Sequence, residues 1–265
     1  MAGDIMEIWK AAVLGIVQGL TEFLPVSSSG HIIVFEKILG VPAGGMFFGV
    51  MLHAGTLAAV LFAYFAKIVN IVKSDRKKIF YLLAATVPAA LVGFFFGDKI
   101  DALFFGGQYL WVFFALTAVL LLLAQHCAKK PRMLRPVGWR TSLIAGCAQA
   151  FAVIPGLSRS GTTLSACIFA GTDREEAADF SFLMSIPIIA GAIFAELLKI
   201  FTGEGIAPAI SWQSLAVGAL AAAVCGFISI QIVLKSVKKG SLSGFSVYLF
   251  LMAALMLADS FLYIF

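Results

Sequence analysis

AAVLGIVQGLTEFLPVSSSGH, residues 11–31, is the stretch on which the fold turns. Ala11–Leu24 is an apolar run of fourteen residues that stops at Pro25. Fourteen helical residues cover about 21 Å, which falls short of a bilayer core of about 30 Å. A polar turn follows, Ser27-Ser28-Ser29-Gly30-His31, and then a second apolar run that ends at Gly40. A half-helix, a polar turn and another half-helix make a re-entrant hairpin over 11–40. Such hairpins persist at membrane depth only when buried in protein or lining a wet cavity.

The pattern returns in the second half. Thr141–Ile154 is another run of fourteen residues, stopped by Pro155 and followed by Gly156-Leu157-Ser158-Arg159-Ser160-Gly161-Thr162-Thr163. The two segments align without a gap at an offset of 131 residues, pairing Gly15 with Gly146, Gln18 with Gln149, Ser27 with Ser158, Ser29 with Ser160, Gly30 with Gly161 and Gly40 with Gly171. The prolines are one position out of step. Where the first copy has Glu22 and His31, the second has Val153 and Thr162.

The rest of the chain is apolar. Of 265 residues, 61% are apolar and 12% charged, against about 25% charged in a soluble domain. Mean hydropathy is +1.01. Six runs are long enough to cross a bilayer: 47–66, 79–97, 108–127, 175–199, 212–235 and 244–265. Three connections are basic: Lys67 to Lys78, Lys129 to Arg140, and Lys235 to Lys239. The positive-inside rule places them on the cytoplasmic side, and the connections near 98–107 and 200–211 on the other. Three spans follow each hairpin, an odd number, so the second hairpin enters from the face opposite the first. The sequence therefore predicts an all-α polytopic membrane protein with an inverted-topology repeat. It is one integral membrane domain over 1–265. Each half is a re-entrant helical hairpin plus three transmembrane helices: 11–127 with its hairpin at 11–40, and 141–265 with its hairpin at 141–171. Folds of this kind place their sites near the midplane, between discontinuous helices.

Several classes are set aside. The net charge of +5 is carried by short loops, which argues against a nucleic-acid partner. The N-terminal MAGDIMEIWK has neither a basic leader region nor a small-residue cleavage site, so no signal peptide is expected. Cys127, Cys147, Cys167 and Cys225 form no C-x-x-C pair and read as buried apolar side chains.

The polar residues inside this apolar frame carry the chemistry. Gln18 and Glu22 share a helix face. A carboxylate at membrane depth costs a few kcal/mol and calls for a partner. Glu22 has no basic neighbour within a turn, so that partner is distant in sequence or is a metal ion. Arg159 is equally misplaced unless it faces a charge, and its planar fork suits phosphate or carboxylate oxygens. Both turns lead into a helix N-terminus, where free N–H groups favour an anion. The hydroxyls of Ser27, Ser29, Ser158, Ser160 and Thr163, with Gly161 at the second helix start, add donors to a phosphate pocket. A serine nucleophile, His31 as acid or base, and Glu22 complete the parts for phosphoryl transfer. Serines at helix starts also serve as N-caps, and His53, inside a span, reads as a structural residue. Spacing does not choose between Ser27 and Ser28.

With these residues in place, the chain resembles the bacterial undecaprenyl-diphosphate phosphatase family, also known for bacitracin resistance. The resemblance rests on GIVQGLTEFLPVSSSGH (Gly15–His31) and PGLSRSGTT (Pro155–Thr163), with DFSFLMSIP (Asp179–Pro187) and HAGT (His53–Thr56) in support. It implies hydrolysis of a polyprenyl diphosphate lipid, undecaprenyl diphosphate, to the monophosphate and phosphate. That reaction recycles the lipid carrier of wall synthesis at the bacterial plasma membrane. It also implies a divalent cation, Mg²⁺ or Ca²⁺. The motif positions fall on Ser28 as nucleophile, Glu22 as acidic and metal-binding residue, His31 as the motif histidine and Arg159 as phosphate holder, with Gln18 beside them. Two departures stand out: Gln18 leaves Glu22 as the only carboxylate of its motif, and Gly49 stands where an acidic residue is expected. The acid-phosphatase type of lipid phosphatase, which needs a nucleophilic His six residues after its Arg, is ruled out by Ser165. A transporter or flippase of polyprenyl phosphates, without hydrolysis, is the competing reading, and a homodimer is left open.

Overall fold

The computed structural model describes residues 6–41, 46–104, 106–130, 133–202, 210–262 and 264. Arg132 of the second basic segment, residues 105 and 203–209 of the two polar-side connections, and residues 263 and 265 of the last predicted span lie outside them.

The described residues form eleven helices. In the first half these are α1 (Ile8–Phe23), α2 (Ser28–Leu39), α3 (Met46–Ala63), α4 (Phe65–Ser74), α5 (Arg76–Phe104) and α6 (Leu110–Lys129). In the second half they are α7 (Trp139–Phe151), α8 (Arg159–Phe169), α9 (Arg174–Phe201), α10 (Trp212–Lys238) and α11 (Ser243–Leu262). α5, α6, α9, α10 and α11 are long and apolar enough to cross a membrane, and α3 with α4 makes a sixth if the bent pair counts as one. The chain is thus an all-α, multi-spanning helical bundle. Large apolar side chains such as Phe62, Phe94, Phe95, Leu220 and Leu251 point outward, as a lipid solvent allows.

The predicted span 47–66 is not straight. α3 stops at Ala63 and α4 turns away by 67°. Tyr64, at φ −106° and ψ 10°, breaks the helical path. Its hydroxyl donates to Asp179 Oδ1 at 2.8 Å, and Lys67 pairs with the same carboxylate. α4 then buries Ile71 while Lys73 stays outside. The bend is therefore pinned by a residue of α9, more than a hundred positions away, and has no local breaker to mark it.

The two halves exchange partners in a matching way. α1 packs on α10, and its counterpart α7 packs on α5. α3 packs on α10, and its counterpart α9 packs on α5. α3 meets α9, and α6 meets α11. The aligned glycines explain the close approach of the short helices. A Cβ at Gly146 would lie 2.7 Å from Ala85 O of α5. Gly15 faces Gly218 O of α10 in the same way. Small residues let helix backbones approach closely where lipid offers no hydrophobic drive.

The hairpin turns form as capping chemistry dictates. Ser27 caps α2 by accepting from Gly30 N at 3.4 Å, and Ser158 caps α8 by accepting from Gly161 N at 3.1 Å. Ser27 does so at φ +73°, a positive value rare for a residue with a side chain. The turns touch one another. Ser160 Oγ donates to Leu24 O at 3.0 Å, and a Cβ at Gly161 would lie 3.2 Å from Pro25 Cβ.

Candidate active site

Where the two turns meet, an open cavity of about 290 Å³ is lined by Glu22, Ser27, Ser28, Ser29, His53, Gln149 and Arg159 on its polar side. Its apolar side is Ala89 of α5, Val153 and Leu157 of the second hairpin, and Ile188, Ile189 and Ala192 of α9. The lining combines charged and hydroxyl side chains with apolar ones, a mixture that suits a charged headgroup on an apolar tail.

Glu22 is the hub. It is buried, and every polar neighbour aims at it. Arg159 Nη2 forms an ion pair with Oε1. Gln18 Nε2 donates to Oε2 at 2.9 Å, and Ser28 Oγ donates to the same oxygen at 2.6 Å. His53 Nδ1 lies 3.8 Å from Oε2. The distant partner that the isolated carboxylate required is therefore Arg159. Its other terminal nitrogen, Nη1, is buried without a protein partner, as is Gln149 Oε1. Buried polar atoms left open in a cavity wall are where a ligand is expected to bond.

The three serines of the first turn are separated by the local geometry. Ser27 spends its oxygen on the cap and on Ser29 Oγ at 3.4 Å. Ser28, the first residue of α2, points its hydroxyl at the carboxylate. A short hydrogen bond from a hydroxyl to a carboxylate is the arrangement of a nucleophile beside its base.

His31 goes elsewhere. Its Nδ1 is 2.7 Å from Ser27 O and its Nε2 2.6 Å from Tyr248 Oη. The ring stacks on Tyr248 at 5.6 Å and meets Phe114 edge-on at 5.4 Å. It is buried, with both nitrogens engaged, outside the cavity wall. Three hydroxyls of the second turn, those of Ser158, Ser160 and Thr163, are also committed to protein. Ser158 caps α8, Ser160 reaches Leu24 O, and Thr163 lies 2.5 Å from Ser181 Oγ. Their backbone amide Ser158 N is held by Thr117 Oγ1 at 3.1 Å. Of the residues expected around a phosphate, the structure thus gathers Glu22, Ser27, Ser28, Ser29 and Arg159 at the cavity wall, while Gln18 is buried and hydrogen-bonded to Glu22. Ser158, Ser160, Gly161, Thr163 and His31 stand behind it as its framework. The structure also brings His53 to the cavity wall, although a lone histidine in a span carries little local signal in the sequence. Only its place in HAGT hinted otherwise.

A divalent cation finds one carboxylate here. Among the described residues no three His, Cys, Asp or Glu side chains gather into a cage. Glu22 has about four acceptor directions, and three are used by Arg159, Gln18 and Ser28. The remaining one fits a single bond to Mg²⁺ or Ca²⁺, in keeping with metals held by one or two carboxylates plus substrate phosphates.

The comparisons with known proteins establish the family. The model of the family described as bacitracin resistance protein BacA matches residues 11–255. A protein of Carboxydothermus hydrogenoformans named undecaprenyl-diphosphatase is 36% identical over 253 residues, covering 95% of this chain and 97% of the relative. Another of that name, from Thermomicrobium roseum, is 39% identical over 264 residues, covering 92% and 94%. A third, from Methanobrevibacter smithii, is 36% identical over 284 residues, covering 98% and 100%. The matched span takes in both polar turns and every residue of the cavity wall, and the chain is a member of the bacitracin resistance protein BacA family.

Proposed function

We infer that this chain is a membrane-embedded undecaprenyl-diphosphatase, which hydrolyses undecaprenyl diphosphate to undecaprenyl phosphate and phosphate and so supports bacitracin resistance. The observation that carries this reading is the Ser28 hydroxyl, hydrogen-bonded to the Arg159-paired carboxylate of Glu22 at the wall of a half-greasy cavity.

In the proposed mechanism the terminal phosphate enters between Ser28 and Arg159, with the tail along Ile188, Ile189 and Ala192. Ser28 Oγ attacks the terminal phosphorus as its proton passes to Glu22. The P–O bond to the lipid phosphate breaks, and the lipid monophosphate leaves as the serine becomes phosphorylated. Water then attacks that phosphorus, Ser28 Oγ leaves and recovers a proton, and inorganic phosphate departs. Arg159, through Nη1, and the free N–H groups at the start of α2 hold the phosphoryl oxygens as charge moves onto them. Gln18, Ser27 and Ser29 shape the polar end. Ser158, Ser160, Gly161 and Thr163 keep Arg159 in place. A cation, Mg²⁺ or Ca²⁺, held by Glu22 and the diphosphate itself, would supply charge neutralisation. In this scheme His31 holds the turn through Ser27 O and Tyr248.

The architecture belongs to the same proposal. Each half is a re-entrant hairpin with three spans, 11–127 and 141–265, related by inversion across the membrane. The exchanged packing of α1 on α10 and α7 on α5 supports it, as do the aligned capping serines and close-approach glycines.

Purified protein in detergent, given a fifteen-carbon isoprenyl diphosphate, should release inorganic phosphate, and Ser28→Ala should release none. A transporter without hydrolytic activity would release none in either form.

A further inference from the structure

His53 differs from His31 in one respect that matters. Among the described residues, both nitrogens of His31 have protein partners, whereas only one of His53 does. His53 comes from α3, its side chain is 41% exposed, and it lines the cavity. Its Nδ1 lies 3.1 Å from Gln18 Nε2.

The proton on this ring can be located by following the hydrogen bonds back to Glu22. A carboxylate paired with Arg159 only accepts, so the group of Gln18 that faces Glu22 at 2.9 Å is its NH₂. That NH₂ has two hydrogens. One goes to Glu22 Oε2, and the other is directed at His53 Nδ1. Nδ1 therefore accepts, and the ring hydrogen belongs on Nε2, since the tautomer of a histidine is set by the bond its other nitrogen makes. Among the described residues Nε2–H has no protein partner, and it stands at the wall of a cavity that already presents Ser28 and Arg159.

We propose that His53 is a substrate-binding residue of this site, its Nε2–H held toward the cavity by the Glu22–Gln18–His53 chain to donate a hydrogen bond to the diphosphate. The inference rests on the diphosphatase reading for its ligand. It also gives Gln18 a purpose. An amide can donate to Glu22 and His53 together, whereas a carboxylate at position 18 would repel Glu22 and turn the ring hydrogen to Nδ1.

The test is binding of a non-hydrolysable isoprenyl methylenediphosphonate to the purified full chain in detergent, by calorimetry, beside phosphate release from the parent diphosphate. His53→Ala and His53→Asn should weaken analogue binding about tenfold or more, the loss expected for a hydrogen bond to a charged acceptor. His53→Gln places an amide NH₂ near the site of Nε2 and should recover most of that loss. Asn, which reaches only the Nδ1 position, should not. In the ¹⁵N spectrum of histidine-labelled protein, His53 should show the Nε2–H tautomer, and Gln18→Glu should abolish that pattern. Equal behaviour of the Asn and Gln variants, wild-type affinity in His53→Ala, or an Nδ1–H tautomer in the wild type would each overturn the proposal. The two readings can fail separately. Wild-type protein that binds the analogue through His53 yet releases no phosphate would defeat the hydrolysis reading alone. Normal hydrolysis with His53-independent binding would defeat this one alone.

Discussion

Arg159 and Glu22 stand 137 residues apart in the chain and form an ion pair at the wall of the cavity, Glu22 from α1 and Arg159 from the start of α8. Each charge would be intolerable alone at membrane depth. Together they are neutral enough to bury and charged enough to hold a phosphate and a proton. The pair is also one of the contacts that tie the two halves together.

Removing one partner should therefore cost more than activity. Arg159→Ala leaves Glu22 buried and unpaired, at a cost of about 3–5 kcal/mol. The expected outcome is loss of phosphate release and a markedly lower Tm in detergent. Arg159→Lys should restore part of the Tm but little activity, because an ammonium cannot hold Glu22 and a phosphate with one planar fork. A lysine variant as active as the wild type would show that the fork is not used.

The two neighbouring serines should separate cleanly. Ser28→Ala removes the only hydroxyl bonded to Glu22 among the described residues and should lower kcat by about a thousandfold or more. Ser27→Ala removes a cap and should cost about 1 kcal/mol of stability while leaving measurable turnover. Full activity in Ser28→Ala would place the nucleophile elsewhere. Ser27→Gly, free of the strain at φ +73°, should be no less stable than Ser27→Ala.

In the proposed mechanism Glu22 serves both as base and as the carboxylate, the single one lining the cavity among the described residues, that would hold a cation. Glu22→Gln should depress kcat and flatten the Mg²⁺ or Ca²⁺ dependence of phosphate release. An unchanged metal titration alongside a depressed kcat would leave Glu22 as base and remove it from the cation.

His31 should behave as part of the framework. Its ring joins Ser27 O to Tyr248 Oη, so His31→Ala and Tyr248→Phe should each lower Tm, by an amount corresponding to about 1–3 kcal/mol. A double-mutant cycle should find them strongly coupled in stability. His31 and Ser28 should be nearly additive there. Coupling of His31 to Ser28 in kcat, with none to Tyr248, would return His31 to the chemistry.

The sequence alone determined the broad frame. Short apolar runs stopped by Pro25 and Pro155, six long runs and three basic connections specify a multi-spanning helical bundle, because lipid leaves the backbone few other choices. The presence of a charged site was legible too, since Glu22 and Arg159 had no local reason to be buried. What the tertiary structure decided is who faces whom. The turn at Ser27 spends one serine on a cap and turns the next toward Glu22, a choice made by backbone dihedrals that spacing cannot express. Tyr248 reaches His31 from the far end of the chain and takes it away from the cavity. His53, unremarkable within its span, is carried to the cavity wall by the packing of α3 against α1 and α9. Periodicity reports which residues must avoid lipid, whereas the identity of their partners follows from helix packing between segments more than a hundred residues apart.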